Sequence, residues 1–243
     1  MNNKEKVGGR AYSNGVRLQN KHRSVKAYYD NNGNIRIQTK QVKKNKFMKY
    51  IKKIPLIRGI AVLFFAILSF LKEVFKEPKK YWFVFLILLA EILYMILPSD
   101  SSSAIQGVVF LIYISIPIVL LFVFKNSVSE VLKFHGAEHK AVNYYENDYQ
   151  GDIASYSRIH RRCGSNIVFF YIIFSILVSF FDLGLPLLLQ ELLILGIAYE
   201  AIKYLPEKLL GIPSLFQKIF AREPEKRQLK AAEAALEVLT NRV

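Results

Sequence analysis

Two histidines four residues apart are the residues of this sequence best suited to hold a metal ion. His135 and His139 lie in the stretch Phe134–Lys140, which reads FHGAEHK. On a helix this spacing places both imidazoles on one face, one turn apart, so that two nitrogens can reach a single zinc ion. Glu138 precedes His139, which gives the HxxEH order of inverted zincin peptidases, where the glutamate is the general base. The stretch therefore predicts a metal-dependent hydrolytic centre.

Two further residues of metal-binding type follow about twenty positions later. His160 and Cys163 form an HxxC segment, and imidazole and thiolate are preferred zinc ligands. If His135, His139, His160 and Cys163 all bind one ion, the tetrahedral site is closed. Such a metal would stabilise the fold and leave no position for a reacting water.

A second arrangement keeps a position open for water. In it His135 and His139 bind the metal together with one carboxylate, from Glu146 or Glu200. Glu138 then takes a proton from the water that the metal acidifies. Inverted zincins also use a carboxylate well downstream of the motif, and Glu200 occupies such a position.

Two other arrangements need no metal. In the first, Glu138 and Glu146 pair with arginines, and the histidines are neutral hydrogen-bond partners. In the second, Cys163 at a helix N-terminus has a lowered pKa and acts as a nucleophile with His160. The arginines that could pair with the carboxylates follow shortly after the motif: Arg158, Arg161 and Arg162.

Composition predicts a membrane protein before a nucleic-acid-binding one. The chain has 243 residues, a net charge of +15 and 52% hydrophobic residues. So basic a chain would suggest nucleic acid, but its apolar residues are gathered into long runs. A single cysteine excludes a disulfide within the chain.

The apolar runs predict a mainly α, polytopic helical membrane protein. Its predicted architecture is four transmembrane helices in two hairpins, plus a re-entrant or interfacial helix and a small N-terminal β module. The turn signal Asp30–Gly33, between two β-rich segments, predicts a hairpin in that module. The predicted spans are 81–97, 104–125, 167–181 and 183–202.

The same patterns divide the chain into six parts. In chain order these are a basic cytoplasmic β-hairpin module (1–53), an interfacial or re-entrant helix (54–80), a first transmembrane hairpin (81–125), a cytoplasmic loop with HxxEH and HxxC (126–166), a second transmembrane hairpin (167–202) and a cytoplasmic C-terminal helix (203–243).

Charge asymmetry predicts the location and the partners. Lys and Arg are concentrated in the N-terminal tail, at 76–80 and around the motif, whereas the two loops on the opposite side lack them. By the positive-inside rule both termini and the histidine loop are expected in the cytoplasm, in a bacterial cytoplasmic membrane. The basic segments Lys43–Lys46 and Lys52–Lys53 are expected to attract anionic lipid headgroups, with a membrane protein or ribosome as a further partner and DNA not expected. The oligomeric state stays open.

Several segments together form a recognisable pattern: Pro55–Gly59, Phe134–Lys140, Tyr145–Glu146, His160–Ser165, Ile197–Glu200 and Ala221–Pro224, with a looser match at Gly8–Gly9 and Gly15–Val16. These segments resemble the YqhQ family of bacterial membrane proteins. That family is a domain of unknown function described as a candidate metal-dependent enzyme, so the resemblance implies a metal site but no substrate. The sequence departs from the family pattern at Arg10, Asn14, Arg161 and Ser165, where Gln, Glu, Pro and Thr are usual.

The predicted function is that of a metal-dependent membrane hydrolase at the cytoplasmic face, with Glu138 as the catalytic residue. Zinc is the expected metal, and another divalent ion is the alternative. The rival prediction is a non-catalytic membrane scaffold or insertion factor, with a structural metal and a basic tail that contacts lipid headgroups or the ribosome. The candidate ligands are His135, His139, His160, Cys163, Glu146 and Glu200.

Overall fold

Strands and helices occupy separate parts of the chain. The computed structural model describes residues 4–42, 50–51, 53–79, 81–96, 103–206, 209 and 211–241. The strands are β1 Gly8–Tyr12, β2 Gly15–Gln19, β3 Arg23–Tyr29 and β4 Ile35–Gln41. The helices among these residues are α1 Ile57–Lys76, α2 Trp82–Met95, α3 Ser103–Val123, α4 Lys125–Glu146, α5 Gly164–Ser179, α6 Leu187–Tyr204, α7 Gly211–Phe220 and α8 Lys226–Thr240, with a 3-10 helix at Ile153–Ser155.

The chain divides into two compact units. The first comprises residues 1–61 and 129–243, and the second residues 62–128. In the second unit α2 packs against α3. The ring of Phe124 lies 5.5 Å from that of Phe83 and 6.1 Å from that of Trp82. The histidine motif and the sheet belong to the first unit.

The sheet is an antiparallel meander in the order β1-β2-β3-β4. Val16 lies opposite Ala27, and Leu18 opposite Val25. All four side chains are fully buried. Because side chains alternate across a strand, this register turns one apolar row of β2 and β3 toward the core.

A tight turn joins β3 to β4. The Asp30 carboxylate accepts hydrogen bonds from the N–H groups of Asn32 and Asn34. Gly33 has a positive φ of 77°, which a residue without a side chain adopts at little cost. A hairpin therefore stands where the turn signal predicts one, within a larger sheet of four strands.

The last helix, α8, covers the sheet and closes the core of the first unit. It packs on β2 and β3, and a capping box of Glu225 and Gln228 starts it. The motif helix α4 contributes Phe134, Ala137 and Ala141 to the same core. The buried apolar residues of α8 fall at helical spacing: Ala231, Ala232, Ala235, Leu236 and Leu239.

The predicted fold class, a polytopic membrane protein with four transmembrane helices, is wrong. No helix in the described part of the chain is by itself both long and apolar enough to cross a bilayer; one pair, Phe110–Val123 with Lys125–Glu146, passes by length and composition when counted together. At about 1.5 Å per residue, the 14 residues of α2 and the 16 of α5 cover about 21 and 24 Å. A hydrocarbon core is about 30 Å thick.

The prediction of transmembrane spans was wrong because the apolar runs in the sequence continue past the ends of the helices. The run predicted to span 81–97 ends as a helix at Met95. The mean hydropathy of α6 is lowered by three charged residues, Glu191, Glu200 and Lys203. The described residues thus form a mixed architecture of α-helices and one antiparallel sheet. The basic segments 43–46 and 52, and Lys80, lie outside the described residues.

Candidate metal centre

Helix α4 places the two motif histidines side by side. The motif lies inside a helix of 22 residues, and not in a loop. Phe134, Ala137 and Ala141 bury one face of this helix in the core. His135 and His139 project together, and their ring centroids are 4.4 Å apart. Burial of the apolar face therefore fixes the direction of both imidazoles.

Cys163 completes a group of three candidate ligands. Its Sγ lies 3.4 Å from Nε2 of His135. One ligand atom from each of His135, His139 and Cys163 lies within 4.8 Å of the other two. Cys163 is the N-cap residue of α5, where the helix dipole favours a thiolate. These residues can therefore hold a metal ion.

Backbone carbonyls fix the tautomer of both histidines. Nδ1 of His135 is 2.8 Å from the carbonyl oxygen of Phe220, and Nδ1 of His139 is 2.6 Å from that of Arg158. A carbonyl oxygen only accepts, so each Nδ1 carries the proton that it donates. Nε2 is then the nitrogen left for a ligand. Histidines that bind metals in proteins usually have this outer hydrogen bond.

The thiol and imidazole of this group stabilise each other's charged forms. Burial alone would raise the pKa of Cys163, but hydrogen bonds and positive charge from His135 and His139 outweigh it and lower the pKa to about 4. Burial alone would lower the pKa of His135, but the hydrogen bond to Cys163 and the thiolate charge raise it to about 9. Each group therefore favours the charged form of the other.

Glu138 lines a small cavity beside the three ligands. This cavity has a volume of about 190 Å³, and Gly8 and Gly9 of β1 form part of its wall. The Glu138 side chain is 7% exposed, and burial raises its pKa. A Cβ atom at Gly9 would lie 2.7 Å from carbons of the Glu138 side chain. The absence of a side chain at Gly9 therefore makes room for this carboxyl group.

His160 lies next to the group but is engaged elsewhere. Its Nε2 is 3.2 Å from the Glu146 carboxylate, and its Nδ1 accepts from the N–H of Arg162 at 3.3 Å. Glu146 also forms an ion pair with the Arg162 guanidinium. Burial lowers the pKa of His160. His160 and Glu146 therefore contact each other, and neither belongs to the group of His135, His139 and Cys163.

Glu200 lies in a different set of contacts. Its carboxylate forms a partly buried ion pair with Arg58 and accepts the N–H of Leu56 at 3.1 Å. Arg58 also donates to the hydroxyl of Tyr204 at 3.2 Å. The hydrogen bond from Arg58 is the main reason why the pKa of Glu200 is lowered. This carboxylate joins the start of α1 to the end of α6.

Of the predicted metal-free pairs between arginines and the carboxylates of Glu138 and Glu146, the structure contains the one at Glu146. Glu146 pairs with Arg162. Arg158 lies 3.7 Å from Glu223, and Arg161 donates to the carbonyl of Leu205 at 2.7 Å. Glu138 instead lies beside the histidines and the cysteine. The nucleophilic pairing of Cys163 with His160 is replaced by the contact of Cys163 with His135.

Several residues that build the centre were not singled out from the sequence. Lys140 is 4% exposed and donates to the carbonyl of Ala154 at 2.6 Å. It also pairs with Glu223 at 2.6 Å. A buried lysine with two such partners fixes the motif helix to the two segments that surround it. Lys140 and Glu223 both lie in segments of the family resemblance, which was the available signal.

Comparison with known proteins gives a family without an assigned activity. The family model described as "Protein of unknown function (DUF1385)" matches residues 34–242. The "Uncharacterized protein YqhQ" of Bacillus subtilis (strain 168) is 25% identical over an alignment 283 residues long. The alignment covers 93% of this chain and 89% of the relative. No solved structure matches the chain. The resemblance to the YqhQ family is thus confirmed, and the chain belongs to the DUF1385 family of proteins of unknown function.

Proposed function

We propose that this protein is a zinc-dependent hydrolase whose metal is held by His135, His139 and Cys163, with Glu138 as the general base. One observation carries the proposal. Both histidines donate Nδ1–H to backbone carbonyls, which leaves Nε2 of each ring as the nitrogen at which a metal can bind, beside the sulfur of Cys163. Two imidazoles and a thiolate are a donor set that zinc prefers.

The separation of the donor atoms fits a tetrahedral ion. Zinc–nitrogen and zinc–sulfur bonds of about 2.0–2.3 Å place ligand atoms about 3.3–3.6 Å apart. The three donor atoms here are separated by 4.8 Å or less. A contraction of at most about 1.2–1.5 Å at the widest pair would bring it to this separation. Three protein ligands leave the fourth position for water or substrate, as in catalytic zinc sites.

The chain's own residues supply the proton transfer. Zinc bound at this centre would act as a Lewis acid and bring the pKa of water to about 7. Glu138 lines the cavity on the side of the ligands, where its carboxylate can accept a proton and return it to the leaving group. The carbonyls of Phe220 and Arg158 hold the imidazoles in orientation during these steps.

Zinc content and hydrolysis, measured on the same variants, test the proposal. The purified full chain is loaded with zinc, dialysed and analysed by mass spectrometry for metal. We expect about one zinc per chain, and its loss in His135→Ala, His139→Ala and Cys163→Ser. Glu138→Gln should keep zinc and lose hydrolysis of a panel of esters, phosphate esters and peptides. His160→Ala is the matched control and should keep zinc.

The outcomes separate catalysis from a structural role. A wild-type chain without zinc after loading would end the proposal. Hydrolysis that survives in Glu138→Gln would remove this residue as the base. Zinc that stays bound while no member of the panel reacts, together with unfolding of the metal-free protein, would favour the rival function of a structural metal.

A further inference from the structure

A second, larger cavity adjoins the candidate metal centre within the first unit. Its volume is about 820 Å³. It shares His160, Arg162 and Cys163 with the wall of the smaller cavity at Glu138. A molecule in the large cavity would therefore reach one of the three candidate ligands directly.

The polar part of this wall is strongly basic. Arg58 is balanced by Glu200, and Arg162 by Glu146. Lys6 and Lys203 are exposed, and neither forms an ion pair with a carboxylate among the described residues. The charged residues of the wall are five cations and one carboxylate: Lys6, Arg58, Arg161, Arg162, Lys203 and Glu146.

The charge surplus matches a particular anion. Arg161 donates to the backbone carbonyls of Ile202, Lys203 and Leu205. Lys6 and Lys203 are the two exposed ammonium groups of the wall, and together they can balance about two negative charges on a ligand. A phosphate monoester carries about −1.5 to −2 at neutral pH, whereas a carboxylate carries −1. Lysine and arginine side chains are also well suited to bind phosphate.

The rest of the wall is apolar. Ile167 of α5 and Tyr199 and Ile202 of α6 line the cavity beside the cationic residues. Ile202 and neighbouring side chains of α5 form a small hydrophobic cluster. A ligand that fills the cavity therefore meets hydrocarbon on one side and positive charge on the other.

We propose that this cavity binds a phosphate monoester with an apolar chain, its phosphate at Lys6 and Lys203 and its chain against Ile167 and Ile202. The inference rests on the proposed function, since it names the substrate class of the same centre. The phosphate could come from a lipid headgroup or from a soluble ester, and the two sources share this chemistry.

Calorimetric titration of the full chain tests the inference without turnover. The protein is stripped of metal with a chelator and titrated with hexyl phosphate, inorganic phosphate and hexanoate. Hexyl phosphate should bind most tightly, because it alone has both the dianion and the chain. The double variant Lys6→Gln/Lys203→Gln should weaken its binding about tenfold. Lys226→Gln/Lys230→Gln, which removes two exposed charges of α8 that do not line the cavity, should stay within about twofold.

The comparison ligands separate a lipid phosphate from a soluble phosphate ester. They also define the results that would contradict the inference. Tighter binding of dihexanoyl phosphatidate than of hexyl phosphate would indicate a lipid substrate, and equal or weaker binding a soluble ester. Equal binding of hexyl phosphate and hexanoate, tighter binding of an acidic peptide, or no difference between the two double variants would overturn the inference. A chain that binds the ester but takes up no zinc would overturn the proposed function alone.

Discussion

Nε2 of His135 lies 3.4 Å from Sγ of Cys163, although the two residues are 28 positions apart in the sequence. The contact joins the middle of α4 to the N-cap residue of α5. A site built on two helices is held more rigidly than one built on loops. This relationship makes Cys163, and not a carboxylate, the third candidate ligand.

Cobalt should report the thiolate directly. Cobalt(II) replaces zinc at sites with sulfur and nitrogen ligands, and a bound thiolate gives a charge-transfer absorption in the near ultraviolet. The wild-type chain and His160→Ala should both develop this absorption on titration with cobalt. Cys163→Ser should not, although it keeps both histidines. An absorption that disappears in His160→Ala would favour the closed site with four protein ligands.

Gly9 should be intolerant of any side chain. A Cβ atom there would lie 2.7 Å from the carbonyl oxygen of Arg17 and from the Glu138 side chain. Gly9→Ala should therefore destabilise the protein by about 1–3 kcal/mol and displace Glu138. Thermal unfolding and zinc-dependent hydrolysis measure the two effects.

The neighbouring glycine is the control for this substitution. Gly8 lies in the same strand and lines the same cavity, but a Cβ atom there would have no heavy atom within 4 Å among the described residues. Gly8→Ala should change the free energy of unfolding by less than about 0.5 kcal/mol. Equal effects of the two substitutions would contradict the close approach of β1 to Glu138.

The last helix should be essential for the core that supports the motif. Leu236 is 2% exposed between α8 and the sheet. Leu236→Ala should cost about 2–5 kcal/mol through lost burial and the cavity left behind. Glu237→Ala on the exposed face should change stability by less than about 0.5 kcal/mol. Denaturant unfolding of the two variants makes the comparison, and similar midpoints would contradict the packing.

The Arg58–Glu200 ion pair should make stability depend on acid. The pKa of Glu200 is lowered in the folded protein, chiefly by the hydrogen bond from Arg58. Its stabilising contribution is therefore present above the unfolded pKa of about 4.3 and is lost as the pH falls through the folded value. Glu200→Gln should be less stable than the wild type at pH 7.

The difference between wild type and Glu200→Gln should shrink as the pH falls below about 4.3. Melting temperatures from pH 7 to pH 3 measure it. Glu237→Gln, at an exposed carboxylate of α8, should show no such trend. A difference that stays constant with pH would indicate that Glu200 contributes through its shape and not through its charge.

The sequence predicted the type of chemistry at the centre better than it predicted which residues form the centre. The spacing of His135 and His139 indicated two ligands on one helical face, because that depends only on helical periodicity. The partner of this pair depends on how α4 and α5 pack, which local sequence does not encode. Cys163 was therefore one candidate among several, and Glu200 could not be separated from it.

In the fold, too, features with a local sequence signal could be predicted and other features could not. The turn at Asp30–Gly33 and the amphipathic pattern of α8 are local signals, and both have structural counterparts. The spans were predicted from hydropathy, which does not record where a helix ends. The second strand pair, β1 with β2, was missed because these strands have only five residues each. Bacterial location, lipid contacts and ribosome contacts stay predictions.

The hydrogen bond between His135 and the carbonyl of Phe220 links residues 85 positions apart. During synthesis all three candidate ligands leave the ribosome long before residue 220 does. The nascent chain therefore carries every donor atom while one imidazole still lacks the partner that orients it. Assembly of the centre is thus coupled to synthesis of the chain through residue 220, and a product that terminates before this residue would contain the ligands without their arrangement.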